Sequence, residues 1–326
     1  MRLYPLLLLV LLGVGLAGCD QSSGPSVNTP VLSVASAPAP ADKPEIGLVM
    51  KTLTNPFFVE MEKGARRAEK ELGINLTVKT AAQETSIEQQ IQLVEDLIAA
   101  KVTAIVIAPG DSQRLIPSLK KAADAGIKIV NIDNRLDPET LQQAGMQKVP
   151  FVSVDNEAGA FKAGKFLAEG ITRPTQAAIL EGIRSADNAR QRTQGAQRGL
   201  LENKNIKVVA SETANWKIDE AYEVTKLMFG QHPNIKLLFA ANDVMAIGAL
   251  KYLAESKKTS VKVVGYDALS EAIAEIKAGK MAATIDQQAA EQGYQGVALA
   301  VRMARSEAVP AVTTIDTRLV TAASAP

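Results

Sequence analysis

The run EIGLVMKTLTNPFFVEMEKGARRAEKEL, residues 45–72, decides the fold. Its opening, Glu45–Met50, is a short and almost continuously apolar stretch of strand character. Its later part sets Phe58, Met61, Ala65, Ala68 and Leu72 at alternating three- and four-residue spacing, which predicts a helix with one buried stripe. Asn55 fits the N-cap between them, and Pro56 fits the first helical position. A strand buried on both faces that turns into an amphipathic helix is the repeating unit of a parallel α/β sheet.

The unit recurs along the chain. Further candidate strands lie at Asn75–Lys79, Ala104–Ala108, Ile127–Ile132, Phe151–Val154, Gln176–Leu180, Lys207–Ser211, Lys236–Ala240, Val261–Gly265 and Ala282–Ile285. Helical patterns fill the gaps, as with Ile87, Ile91, Val94 and Ile98. Ten strands in this order predict two parallel sheets, each covered by helices. The polar stretch Arg135–Lys148 is the one break in rhythm, so the join between domains is expected near Val154.

Composition narrows the function. The formal net charge is +1, which offers no basic surface for nucleic acid. One His and one Cys speak against zinc, haem and iron–sulfur sites, so no metal and no cofactor is expected. The single cysteine, Cys19, closes the run Leu16-Ala17-Gly18-Cys19 after Arg2 and an apolar stretch from Leu3 to Ala17. That stretch has the length of a signal-peptide core and is short for a membrane span. It resembles the lipobox of bacterial lipoproteins, with Cys19 as the lipidation site; a plain secretory signal is the alternative. Residues 1–19 are therefore expected to be a lipoprotein signal peptide and 20–43 a flexible Pro/Ser/Ala stalk. Asp20 resembles an inner-membrane retention signal. The expected location is the periplasm, tethered to the outer face of the inner membrane.

Polar residues gather where the strands end. Asp133, Asp155, Asn242, Asp267 and Gln287 each lie one or two residues past the end of a predicted strand. In open α/β sheets the carboxyl ends of the strands line the ligand crevice. Helix capping accounts equally well for any one Asp or Asn there. Of Phe57 and Phe58, one is expected in the core stripe and the other at the crevice mouth, where a ring suits the apolar face of a sugar. Trp216, the only tryptophan, lies in a strand-to-helix loop. Arg184, Arg190 and Arg192 follow Gln176–Leu180, and two of them are expected on the surface.

Four segments carry a family resemblance: Lys51–Phe58, Phe239–Leu250, Val263–Asp267 and Ala282–Gln287. In that order they resemble the ribose- and allose-binding proteins of ABC sugar importers, type I periplasmic binding proteins. The resemblance implies two Rossmann-like lobes joined by a three-crossover hinge near Val154, Gln287 and Ile315. One lobe would hold residues 44–154 plus 288–315, the other 155–287 plus 316–322. The resemblance carries sugar contacts onto Asn55, Phe57, Phe58, Asp133, Arg192, Trp216, Asn242, Asp267 and Gln287. Lys51 and Asn134 are implied as selectors of the sugar. At Asn134 the chain departs from the arginine of ribose binders and the glutamate of allose binders. Two cations, Lys51 and Arg192, against two anions, Asp133 and Asp267, favour a neutral monosaccharide.

The implied protein is a monomeric substrate-binding lipoprotein. It would close over one pentose or hexose and deliver it to an ABC permease with its ATPase, catalysing nothing. An alternative is a sugar-sensing lipoprotein that signals to a membrane receptor or kinase. A glycosidase using two of Asp133, Asp155, Asp267 and Asp286 would need one carboxyl group with a raised pKa. Donors around the pocket carboxylates are expected to keep them ionised instead. A sugar-responsive repressor would need a helix-turn-helix where the export signal lies.

Overall fold

Two six-stranded sheets organise the protein. In this computed structural model the described residues are 43–326; the expected signal peptide, Cys19 and all but the last residue of the expected stalk (20–43) lie outside them. The first sheet has the order β11-β5-β4-β3-β1-β2. It is built from β1 (Glu45–Met50), β2 (Asn75–Thr80), β3 (Ala104–Ile107), β4 (Lys128–Ile132), β5 (Phe151–Val154) and β11 (Val312–Ile315). The second has the order β12-β10-β9-β8-β6-β7. Its strands are β6 (Thr175–Glu181), β7 (Ile206–Thr213), β8 (Ile235–Ala240), β9 (Lys262–Val264), β10 (Ala283–Asp286) and β12 (Arg318–Thr321).

Helices α1 (Pro56–Leu72), α2 (Ile87–Ala99), α3 (Ile116–Asp124) and α10 (Ala289–Ala304) cover the first sheet. Helices α5 (Asn156–Ala168), α6 (Asp187–Leu201), α7 (Ile218–Gln231), α8 (Asp243–Glu255) and α9 (Ser270–Lys277) surround the second. The chain passes between the sheets three times, after Val154, after Asp286 and at Asp316–Thr317.

Local chemistry explains the starts and ends. Asn55 caps α1 by accepting from Phe57 N–H, Pro56 follows, and Gly73 ends the helix with φ 65°. The buried residues of α1 include Phe58, Met61, Ala65 and Ala68, the apolar stripe of the sequence. Helices α5 and α6 touch backbone to backbone. A Cβ at Gly195 would lie 2.1 Å from the Glu157 carbonyl oxygen, and one at Gly199 would lie 2.5 Å from that of Phe161.

Three elements depart from expectation. The polar stretch Arg135–Lys148 contains a short helix, α4 (Pro138–Gln143), capped by Asp137. Strands β11 and β12 were not anticipated, because four-residue edge strands with mixed exposure show no continuous apolar run. The second sheet is not purely parallel: β12 runs antiparallel to β10. The chain reaches β12 directly from β11 of the first sheet, through only Asp316 and Thr317.

Candidate functional site

Both sheets have a topological switch point, and the two face one another. In the first sheet β1 lies between β2 and β3; in the second, β6 lies between β7 and β8. Chain leaving opposite sides of such a strand opens a crevice at its carboxyl end. The turn after β1 brings Lys51, Asn55, Phe57 and Phe58; the loop after β2 brings Glu84; the exit of β4 brings Asp133. The second sheet contributes Asn188 and Arg192 from α6, Trp216 from the loop after β7, and Asn242, Asp267 and Gln287 from strand exits. Together they line one narrow cleft between the two sheets.

Three ion pairs anchor the walls. Lys51 Nζ lies 2.8 Å from Asp133 Oδ2 and 3.8 Å from Glu84 Oε2. Asn55 Nδ2 donates to Glu84 Oε1 at 2.9 Å. Across the cavity, Arg192 Nη1 lies 3.4 Å from Asp267 Oδ1 and donates to the Ala241 carbonyl at 2.9 Å. Arg192 Nε donates to Asn156 Oδ1 at 2.8 Å, and the guanidinium stacks over Tyr266, 3.9 Å from the ring centre. Gln287 Nε2 donates to Asp267 Oδ1 at 2.6 Å. Each carboxylate is thus held in place by donors on one side, leaving lone pairs for hydroxyl groups on the other.

Burial sets the protonation chemistry. It pushes the Asp267 carboxyl well above its ordinary range, against the opposing pull of Arg192. It also raises Glu84, against Lys51 and the Asn55 amide. Behind the cavity, burial lifts Asp243 up to about 6, even though the carboxylate accepts hydrogen bonds from Thr284 Oγ1 and Leu269 N–H. For Asp267 and Glu84 desolvation outweighs the donors that were expected to hold their pKa values down.

The backbone is strained where the site is built. Asp133 (φ 62°), Asn215 (φ 49°), Trp216 (φ 66°) and Asp267 (φ 124°) all hold positive φ. Such conformations in non-glycine residues cost on the order of 1–3 kcal/mol each and cluster at ligand sites. Buried polar atoms without a hydrogen-bond partner among the described residues include Asn188 Oδ1 and Trp216 Nε1. The rings add apolar surface: Phe57 and Phe58 meet edge to face, with centroids 5.1 Å apart.

Four expectations change. Phe57 and Phe58 do not divide between core and mouth; both are buried and both border the cavity. Asn134 is fully buried and lies off the cavity wall, its Nδ2 donating to the Pro109 carbonyl at 3.0 Å. The left-handed backbone of Asp133 turns the next residue away. The charge count also shifts, because Glu84 makes a third carboxylate beside Lys51, Arg192, Asp133 and Asp267. Asp155 and Asp286 are not on the wall: Asp155 caps α5 through Ala158 N–H, and Asp286 accepts from Gln288 N–H. Asn242 does both jobs, capping α8 through Met245 N–H while facing the cavity.

Sequence reasoning missed Glu84 and Asn188. Asn188 had a usable signal, since it sits in the first turn of a helix that follows a strand, as Asn242 nearly does. Glu84 had none, because its place depends on the approach of Lys51 and Asn55 from another loop.

Residues 46–308 match the model of the periplasmic binding protein domain. The chain belongs to the ribose/allose type of periplasmic sugar-binding protein. A D-ribose/D-allose-binding protein of Pseudomonas aeruginosa is 42% identical over 275 residues, covering 83% of this chain and 85% of that one. The D-allose-binding periplasmic protein of Escherichia coli is 34% identical, over 85% of this chain and 92% of its own. A crystal structure of a periplasmic solute-binding protein of an ABC transporter from Actinobacillus succinogenes, with bound D-allose, superposes with a TM-score of 0.82. It shares 41% identity and matches 87% of this chain and 99% of its own. Periplasmic sugar-binding proteins of this type are extracytoplasmic, non-catalytic components of ABC importers that pair a sugar with a cognate permease and ATPase. No helix among the described residues is long and apolar enough to cross a membrane.

Proposed function

We propose that this periplasmic sugar-binding protein is a monomeric lipoprotein, held to the inner membrane through Cys19. Its two lobes close by hinge bending over one neutral monosaccharide, a pentose or hexose, and the closed form delivers the sugar to its permease. The observation that carries the reading is the convergence, from two separate sheets, of amides, carboxylates, one arginine and three rings on one small cavity. Lys51, Asn55, Glu84 and Asp133 would hold one edge of the sugar, and Asn188, Arg192, Asn242, Asp267 and Gln287 the other. Phe57, Phe58 and Trp216 would cover its C–H faces.

The charges favour a neutral ligand. Two cations face three carboxylates, and burial raises two of those carboxylates toward holding a proton. A uronate or sugar phosphate would bring a further negative charge into a space that already resists ionisation. Hydrogen bonds to charged groups are worth roughly 1.5–3 kcal/mol each, so three or four with ring contact reach the micromolar range, about −8 kcal/mol. The names of the similar proteins put D-allose and D-ribose first among candidates.

The test is a thermal-shift screen of the purified protein against D-allose, D-ribose, other pentoses and hexoses, polyols and uronates. A ligand at 100 times its Kd adds about 2.7 kcal/mol of stability. A shift with uronates and none with neutral sugars would overturn the reading, as would loss of intact sugar during incubation. For the anchor, Cys19→Ser is expected to move the protein from the membrane to the soluble periplasmic fraction.

A further inference from the structure

Helix α6 begins without a cap of its own. Ala186 occupies its N-cap position with extended backbone (φ −90°, ψ 132°) and no side-chain oxygen to offer. Helices α1, α5 and α8, by contrast, are capped by their own Asn55, Asp155 and Asn242. The first N–H groups of α6 are nevertheless paired, and the partners come from the other lobe. Asp187 N–H donates to Ser112 Oγ at 2.9 Å, and Asn188 N–H donates to Asn134 Oδ1 at 3.2 Å.

Ser112 follows β3 and Asn134 follows β4, both strands of the first sheet, whereas α6 covers the second. The two capping side chains are buried and braced against each other. Asn134 Nδ2 donates to the Pro109 carbonyl at 3.0 Å and lies 3.4 Å from Ser112 Oγ. Ser112 N–H also crosses to the Ser185 carbonyl at 3.3 Å.

From this geometry we infer that Ser112 and Asn134 are positioning residues for sugar binding, because they cap α6 across the crevice when the lobes are together and release it when the lobes part. The inference rests on the hinge-closure reading above. With the lobes apart, Ala186 gives the helix start nothing, and its N–H groups turn to water. The capping bonds therefore belong to the closed form, which they favour over the open one. Apparent affinity is the intrinsic affinity scaled by the population of the competent form, so residues off the cavity wall act on binding through that population. The cap also seats the helix that carries Asn188 and Arg192 into the cavity. Asn134 thus serves the ligand by holding α6, without facing the sugar.

The test measures sugar affinity and release rate, by calorimetry and by stopped-flow Trp216 fluorescence, with D-allose, D-ribose and the best sugar of the screen. Ser112→Ala and Asn134→Ala are expected to speed release about three- to tenfold, with the ranking of sugars unchanged. Ala186→Ser gives α6 a cap in both forms. It is expected to raise the melting temperature of the unliganded protein while weakening affinity. In the Asn134→Ala background it should weaken affinity no further. Wild-type release rates in both Ser112→Ala and Asn134→Ala would overturn the inference, whether or not Ala186→Ser folds. An altered sugar ranking in Asn134→Ala, or additive losses in the double variant, would assign Asn134 to the sugar itself and overturn its positioning role. If the wild-type protein binds sugar with no change in lobe separation by small-angle scattering, the hinge reading fails and the inference with it.

Discussion

The six-membered ring of Trp216 rests on Gly182: a Cβ at position 182 would lie 2.1 Å from the ring carbons Cη2 and Cζ2. Gly182 directly follows β6, so the strand exit doubles as the seat of the ring that borders the cavity. No flexible group stands between them that could yield. Gly182→Ala should displace the indole and weaken sugar binding at least tenfold, as measured by calorimetry. Trp216→Ala should cost a similar factor, and the two losses should not add, because both remove one ring contact. Additive losses would place the Gly182 effect elsewhere.

Asp267 offers a trade between stability and binding. Its carboxyl is held well above the usual range by burial, so its ionised form opposes folding. Asp267→Asn keeps the shape, removes the charge and leaves Arg192 its bonds to Ala241 and Asn156. Sugar affinity should fall at least tenfold while the melting temperature of the unliganded protein at pH 7 holds or rises. A large drop in that melting temperature would show Asp267 to be structural first.

Glu84 should govern the sign of the ligand's charge. Lys51 stands between Asp133 and Glu84, and Glu84 also accepts from Asn55. Glu84→Gln keeps an acceptor for Asn55 and deletes one potential negative charge. The ratio of uronate to neutral-sugar affinity is expected to rise about tenfold, read by competition titration. An unchanged ratio would mean that Glu84 is already protonated when sugar binds.

Asp243 supplies a pH test of the fold. Burial lifts it from 3.8 to about 6 in the folded protein. A raised carboxyl pKa contributes stability that is fully present below the unfolded value and is lost as pH rises through the folded one. The wild-type protein should therefore lose stability relative to Asp243→Asn as pH climbs from about 4 to about 6.5, followed by urea unfolding at each pH. A flat difference across that window would mean that the hydrogen bonds from Thr284 and Leu269 cancel the cost of burial.

Much of this was legible in the sequence because central parallel strands must be apolar throughout. Leu48, Val49, Ile105 and Val106 are fully buried, and their runs announce themselves. Edge strands carry no such obligation, which is why Val312–Ile315 and Arg318–Thr321 passed unseen. The lining of the candidate cleft was legible where a polar residue follows a buried strand, as at Asp133, Asn242 and Asp267, and at Asn55 and Arg192 through family motifs. Asn134 misled because adjacency in sequence to Asp133 says nothing about which way a left-handed turn sends the next side chain. Glu84 was silent because three loops must meet before it has neighbours of consequence.

The glycines between α5 and α6 have one more effect. Helix α5 starts at the first passage between sheets, with Asn156, and α6 starts at the cavity, with Asn188 and Arg192. Gly195 and Gly199 bring the two backbones into contact with no side chain between them to absorb a shift. On the proposed hinge closure the pair would act as a stiff lever, carrying a pull at its cavity end to the pivot without slack. Substituting a larger residue at Gly195 should therefore blunt the transmission of ligand contact into lobe motion before it abolishes the contact itself.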